Sequence, residues 1–266
     1  MLKRILSFTI VLLTMHLHVQ AALIAFDNFD FGETRDDLTS FGSSGDGWSG
    51  GWAGADGPDY TPLINLTYTA TGYNNDDNDN TTGSMVRGGG SAGTVATRDL
   101  TSTQTGTVWV SALINVGDRA LFWLRGDNET NNFIGINGNA AEMRFGGSDI
   151  SLSDSGYTTG QTHLLLAKLE FDASGNDNIS FWVNPNLSTG ESGLGTANTA
   201  SANIGIGLTG IGVSAQSGSD YLDALRVGTT FDSVTIIPEP STYAAIFGIL
   251  VIGIVLVRRR FSARTK

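Results

Sequence analysis

The residues whose types and spacing suit chemistry fall into a few groups. Asn74-Asn75-Asp76-Asp77-Asn78-Asp79-Asn80 is a run of oxygen donors of the sort calcium takes, with Asp76, Asp77 and Asp79 as candidate ligands. It lacks the glycine and distal glutamate of an EF-hand loop, and a solvated acidic loop is the plainer reading. Calcium is the one cofactor the chain suggests. Five tryptophans (Trp48, Trp52, Trp109, Trp123 and Trp182) could stack on sugar rings. Trp48 and Trp52 are the candidate carbohydrate contacts, because Gly47-Trp48-Ser49-Gly50-Gly51-Trp52 is a glycine-rich loop where a pocket could form; packing in the core is the alternative. His163 is the only histidine beyond residue 21 and would have to serve any Ser-His-Asp site. A strand histidine with satisfied ring nitrogens is expected instead. Thr101, Thr103, Thr105 and Thr107 recur at period two, as do Thr67, Thr69 and Thr71. In strands this lines them along one face, either as a flat ice-binding row or as an ordinary polar surface.

Composition narrows the classes. The chain has 266 residues, 35 of them glycine, and no cysteine. Disulfide scaffolds, Cys-ligated zinc and thiol nucleophiles are therefore excluded. Acidic residues number 26 against 15 basic, a net charge of −11, which excludes a basic nucleic-acid binder. High glycine with only 15% charged residues argues against coiled coils and helical arrays.

The average conceals three unlike segments. Residues 1–21 carry Lys3 and Arg4, then a mostly apolar stretch from Ile5 to Leu13, then Val19-Gln20-Ala21 at the spacing signal peptidase reads. This is a secretory signal peptide. Residues 238–266 read Pro238-Glu239-Pro240, then an apolar stretch forming a transmembrane helix over 243–257, then Arg258-Arg259-Arg260. Fourteen apolar residues rise only about 21 Å as a helix, short of the roughly 30 Å hydrocarbon core, unless Tyr243 and the arginines snorkel at its ends. The arginine cluster should stay cytoplasmic, with the body of the protein on the other side. The order of these parts resembles the PEP-CTERM sorting signal of Gram-negative bacteria. The resemblance implies that the tail is processed by exosortase, a membrane-embedded transpeptidase, with Pro238, Glu239 and Pro240 as its recognition element. It also implies initial membrane anchoring, followed by a cell-surface or exopolysaccharide-matrix location. Two prolines keep the chain extended just ahead of the span.

The middle, residues 22–237, holds 25 acidic and eight basic residues, a net charge of −17. Its pattern is β. Val108, Val110, Ala112, Ile114 and Val116 alternate on one face of a strand over 107–116, and Ile179, Phe181 and Val183 do so over 178–183. Further strands are expected over 23–29, 64–69, 120–125, 133–136, 141–145, 204–213 and 221–227, with turns at 137–139, 146–149 and 172–177. Residues 161–171 suit either a helix or a buried strand, and the flanking turns favour the strand. Short strands at about ten-residue spacing predict an all-β antiparallel sandwich.

Phe26-Asp27-Asn28-Phe29, the Trp48–Trp52 loop, the stretch from Leu164 through Phe181-Trp182-Val183-Asn184-Pro185, and Asp223-Ala224-Leu225-Arg226-Val227-Gly228 resemble the concanavalin A-like (laminin-G-like) jelly roll. That resemblance implies a final strand paired near the first. Glucanases of this fold carry Glu-x-Asp-x-x-Glu on one strand as nucleophile, helper and acid. Here Glu170-Phe171-Asp172 is present, but Gly175 stands in the acid's place, so no catalytic residues are expected. The chain reads as an exported, non-enzymatic protein of the envelope or biofilm matrix, structural or adhesive in role. A polysaccharide-binding, lectin-like module is the alternative, and a divergent glycoside hydrolase comes third. Expected partners are signal peptidase, exosortase and extracellular polysaccharide, with no nucleic acid. Removing residues 238–266 should shift the protein from the envelope fraction to the soluble fraction on cell fractionation; retention at the envelope would contradict the sorting role.

Overall fold

A computed structural model describes residues 23–29, 31, 36–42, 45–54, 59–61, 66, 68, 84–86, 95–126, 131–138, 140–152 and 157–235. The proposed leader, the Asp76–Asp79 run, the Pro238-Glu239-Pro240 motif and Arg258–Arg260 lie outside these residues. Among the described residues no helix is long and apolar enough to cross a membrane.

The strands, in chain order, are β1 (Leu23–Asp27), β2 (Asp36–Asp37), β3 (Asp59–Thr61), β4 (Ser84–Val86), β5 (Ala96–Gln104), β6 (Thr107–Asn115), β7 (Arg119–Gly126) and β8 (Phe133–Asn137). Then follow β9 (Ala140–Phe145), β10 (Ser148–Ser151), β11 (His163–Glu170), β12 (Asp177–Val183), β13 (Asn198–Ala202), β14 (Leu208–Ala215) and β15 (Tyr221–Gly228), and, among the described residues, one α-helix, α1 (Phe231–Thr235). They form two antiparallel sheets. One has nine strands in the order β13-β12-β11-β6-β15-β4-β3-β2, with β1 also on β15; the other has six, β10-β9-β8-β7-β14-β5. The all-β antiparallel sandwich expected from the alternation is present. The last strand does pair with the first, from Leu23 opposite Gly228 to Asp27 opposite Leu225.

The core lies between the sheets. Val108, Val110, Ala112 and Ile114 of β6 point into it, as do Leu165, Ala167 and Leu169 of β11. The six-stranded sheet answers with Phe122 and Leu124 of β7, Ile134 and Ile136 of β8, and Ile211 and Val213 of β14. The opposite face of the nine-stranded sheet is also covered. There Trp109 and Leu113 of β6 and Leu164 and Leu166 of β11 pack under Leu66, Leu187, Leu194, and Phe231 and Val234 of α1. A strand buried on both faces reads as an unbroken apolar run, which is why Leu164-Leu165-Leu166 is also compatible with a helix in sequence.

Three departures have local causes. Leu66 and Tyr68, inside the expected 64–69 strand, lie outside any strand and cover the second core. The 146–149 turn is tighter than expected: Gly146 and Gly147, both at positive φ, make the turn and Ser148 already opens β10. Between Asp223 and Arg226 the register of β15 slips against β6, with Ala224 at φ 49°. This bulge lets Leu222 and Leu225 both face the central core while Ala224 faces the other. The threonine row is also broken, since β5 ends at Gln104, Gly106 turns the chain, and Thr107 begins a strand of the other sheet.

Crossings between the sheets are held by buried carboxylates. Asp220 is fully buried. Its Oδ1 accepts from the backbone N–H of Gly117 (2.8 Å) and Asp118 (2.9 Å), and its Oδ2 from Arg119 (3.3 Å), Gln216 (3.0 Å) and Ser217 (2.7 Å). One side chain thereby joins the β6–β7 and β14–β15 connections, both of which pass from one sheet to the other. Asp177 acts similarly, taking the N–H of Asp172 (2.9 Å) and of Ile204 (2.8 Å). Removing Asp220 strands several donors, each costing about 1–3 kcal/mol when buried. Asp220→Ala should lower the unfolding free energy by about 3 kcal/mol or more, measured by urea denaturation.

Candidate functional site

The two loop tryptophans are packing elements. Trp48 is 9% and Trp52 3% exposed. Trp52 Nε1 donates to Asp27 Oδ2 (2.9 Å) and Trp48 Nε1 to the Phe26 carbonyl (2.8 Å). Phe29 stacks on Trp52 at 5.7 Å. The Arg98 guanidinium lies over both indoles, 5.1 Å and 5.9 Å from their centroids, pairs with Asp27, and donates through Nε to Gly50 O (2.7 Å). Burial depresses the Arg98 pKa, and the charge and hydrogen bond of Asp27 oppose that shift. The loop's glycines permit this closeness: a Cβ on Gly47, at φ 87°, would sit 1.9 Å from the Ile24 carbonyl oxygen. The loop is stitched along β5 by Ser49 N–H to Asp99 O (2.9 Å), Ala53 N–H to Thr97 O (2.8 Å) and Thr101 N–H to Gly47 O (3.1 Å). The expected sugar pocket at Trp48 and Trp52 is therefore corrected: these rings are drawn inward around a buried cation.

His163 is a buried, satisfied side chain. In the tautomer protonated at Nε2, it donates to Thr158 O (2.9 Å) while Nδ1 accepts from Asn184 Nδ2 (2.6 Å). Asn184, at φ 51°, also accepts the Leu164 N–H through Oδ1 (3.1 Å). Glu170 pairs with Lys168 (3.2 Å). Asp172 accepts the N–H and hydroxyl of Ser174, bonds that hold its carboxyl below the usual range. Among the described residues no group of three or more histidine or carboxylate side chains is gathered as metal ligands.

The outer face of the six-stranded sheet is a different environment. Directly opposed residues share a face, so register defines its rows. One row runs Asp149, Arg144, Phe133, Trp123, Gly212 and Thr97. A neighbouring row carries Arg125, Gly210 and Asp99, and a third carries Glu142, Gly135, Leu121 and Ser214. Trp123 is half-buried. Its Nε1 donates to Ser214 Oγ (3.1 Å), and its ring meets that of Phe133 in a T-shaped contact at 5.1 Å. The Arg119 and Arg144 guanidinium groups stand over Phe133, at 5.6 Å and 5.8 Å. Arg119 makes a two-pronged pair with Glu142 (Nε–Oε2 3.2 Å, Nη2–Oε1 2.9 Å). Arg144 pairs with Asp149 (Nε–Oδ1 2.6 Å, Nη2–Oδ2 3.1 Å), and Arg125 with Asp99. Gly212 lies opposite Trp123, where a Cβ would come within 3.0 Å of Trp123 Cβ and 2.8 Å of Val95 Cγ1. The space over Gly212 is taken up by the Val95 and Trp123 side chains, which close over β14 because Gly212 has no Cβ. Arg119-x-Leu121-x-Trp123-x-Arg125 and Glu142-x-Arg144 are visible at period two, but their assembly depends on register across six strands.

No protein-family model and no curated protein matches the chain. Solved structures similar to it include a protein of unknown function from Shewanella oneidensis MR-1 (7% identity, 85% of this chain and 95% of that one, TM-score 0.42). The globular domain of T. cruzi calreticulin is similar at 10% identity over 79% of this chain and 95% of that one, with a TM-score of 0.42. A carbohydrate-binding module from Bacillus subtilis is similar at 9% identity over 64% and 94%, with a TM-score of 0.33.

The assignment of Trp48 and Trp52 to packing has a measurable consequence. Asp27→Ala would leave Arg98 buried without a counter-charge and should cost about 3–5 kcal/mol in urea unfolding. The double variant Asp27→Leu/Arg98→Met should recover most of that loss.

Proposed function

We propose that this protein is an exported, non-enzymatic module that binds extracellular polysaccharide through the outer face of its six-stranded sheet. One observation carries the reading. A half-buried indole on the outer face lies within a field of guanidinium–carboxylate pairs whose geometry is set by the sheet. An indole face stacks on the C–H face of a sugar ring, and oriented polar side chains beside it select its hydroxyls. Arginine–carboxylate pairs hold their donors and acceptors in place, so little side-chain entropy is lost on binding.

The leader at 1–21 and the tail at 238–266 supply export and exosortase-dependent sorting in this reading, toward the cell surface or biofilm matrix. The position of α1 agrees with such a role. Phe231 and Val234 dock on the outer side of the nine-stranded sheet, with Ser111 Oγ donating to Val234 O (2.6 Å). The described chain ends there, on the opposite side of the sandwich from Trp123. A module tethered by its C-terminus would then present the Trp123 face away from the tether. A purely structural matrix role, the other reading, would make no use of Trp123. Affinity electrophoresis in gels containing polysaccharide separates the two. Trp123→Ala should lose retardation at least tenfold in apparent affinity with its circular dichroism unchanged, whereas Trp182→Ala should keep it.

A further inference from the structure

The charge pattern of the same face specifies which polysaccharides fit it; this step rests on the binding role proposed for Trp123. We infer that its ligand is an electrically neutral glycan with adjacent free hydroxyls, and that uronate and other polyanionic polymers are excluded.

Among the described residues, three cations and three anions make up the ionic groups of the face, and each guanidinium already has a carboxylate partner. Together these six groups carry no net charge. A sugar carboxylate approaching Arg119 would have to displace Glu142 from a two-pronged pair while entering the field of Asp99 and Asp149. The surrounding domain opposes it further, since residues 22–237 carry 25 acidic and eight basic residues. A net −17 repels polyanions over distances comparable to the Debye length, about 8 Å at physiological salt.

A neutral diol meets the reverse conditions. Each hydroxyl of a vicinal pair donates one hydrogen bond and accepts others. Arg119 spends two N–H donors on Glu142 and Arg144 spends one, from Nη2, on Asp149, leaving further donors on each guanidinium. The paired carboxylates keep spare lone pairs beside them. Donor and acceptor therefore lie side by side at fixed spacing, the arrangement a vicinal diol needs. Trp123 adds an uncharged stacking surface between Arg119 and Arg125 of the same strand. From Arg119 to Arg125 the face extends about 20 Å along β7, long enough for several sugar units.

The test uses the full sandwich and defined polymers: dextran, a mixed-linkage β-glucan and glucomannan as neutral probes, and alginate and polygalacturonate as anionic ones. Affinity electrophoresis and calorimetry are run at 20 and 300 mM NaCl. At least one neutral polymer should bind, with less than a twofold change in Kd between the salts and at least a tenfold loss in Trp123→Ala. The anionic polymers should not bind. The variant Glu142→Gln/Asp149→Asn, which gives the face a surplus of two positive charges, should gain salt-sensitive binding to alginate. Binding of an anionic polymer by the wild-type protein, weakened by salt and lost in Trp123→Ala, would overturn the neutral-ligand inference and leave the site standing. Neutral-polymer binding unchanged in Trp123→Ala would overturn the site itself. Failure of the wild-type protein to bind any of these polymers would overturn both.

Discussion

The buried pair of Asp27 and Arg98 is the contact on which the sandwich closes. Asp27 belongs to the nine-stranded sheet and Arg98 to the six-stranded one, and both side chains are fully buried. A charge in that position is tolerable only when it is paired; Arg98 Nη1 and Nε are engaged, while Nη2 has no hydrogen-bond partner among the described residues. Asp27 spreads its acceptors over Arg98, Trp52 Nε1 and the Phe29 N–H (2.8 Å), which helps fix Phe29 at φ 54°. The Trp48–Trp52 loop then folds over the cation and occupies the edge of β5. A free strand edge is thereby covered, which also protects a glycine-rich, cysteine-free domain from edge-to-edge pairing.

The same economy of buried acids recurs at the ends of the sandwich. Asp220 gathers five backbone N–H groups and Asp177 two, each joining connections that are remote in sequence. Several of the domain's many acidic residues are consequently structural rather than superficial. Without disulfides, these carboxylates fix the loops where the chain crosses from one sheet to the other.

The two sheets are treated differently on their outer sides. The nine-stranded sheet is covered by α1 and by Leu66, Leu187 and Leu194, so Trp109 and Trp182, stacked at 6.0 Å, serve a second core. The six-stranded sheet presents arginines, acids and Trp123 instead. This asymmetry directs the binding hypothesis to one face.

Much of the fold was legible in the chain itself. Alternation in 107–116 and 178–183 depends only on side-chain direction along a strand; the burial of β12 follows it, whereas β6 is buried on both faces. The basic, apolar ends and the acidic middle are likewise properties of local composition. Strands β5 and β13 were not legible, because Ala96–Gln104 and Asn198–Ala202 are edge strands with little apolar alternation. Nor was the destination of the tryptophans. Trp48 and Trp52 in a glycine-rich loop carry the local signature of exposure, yet Arg98, remote in sequence, draws them inward. Trp123 lies in a strand and carries the signature of core packing, yet register sets it on the outer face, opposite Gly212, which is remote in sequence. Strand identity is encoded by neighbours one and two residues away, so the sequence by itself determined the sandwich and its acidity. Which ring faces solvent depends on register between segments far apart in the chain, and only the tertiary structure decided that.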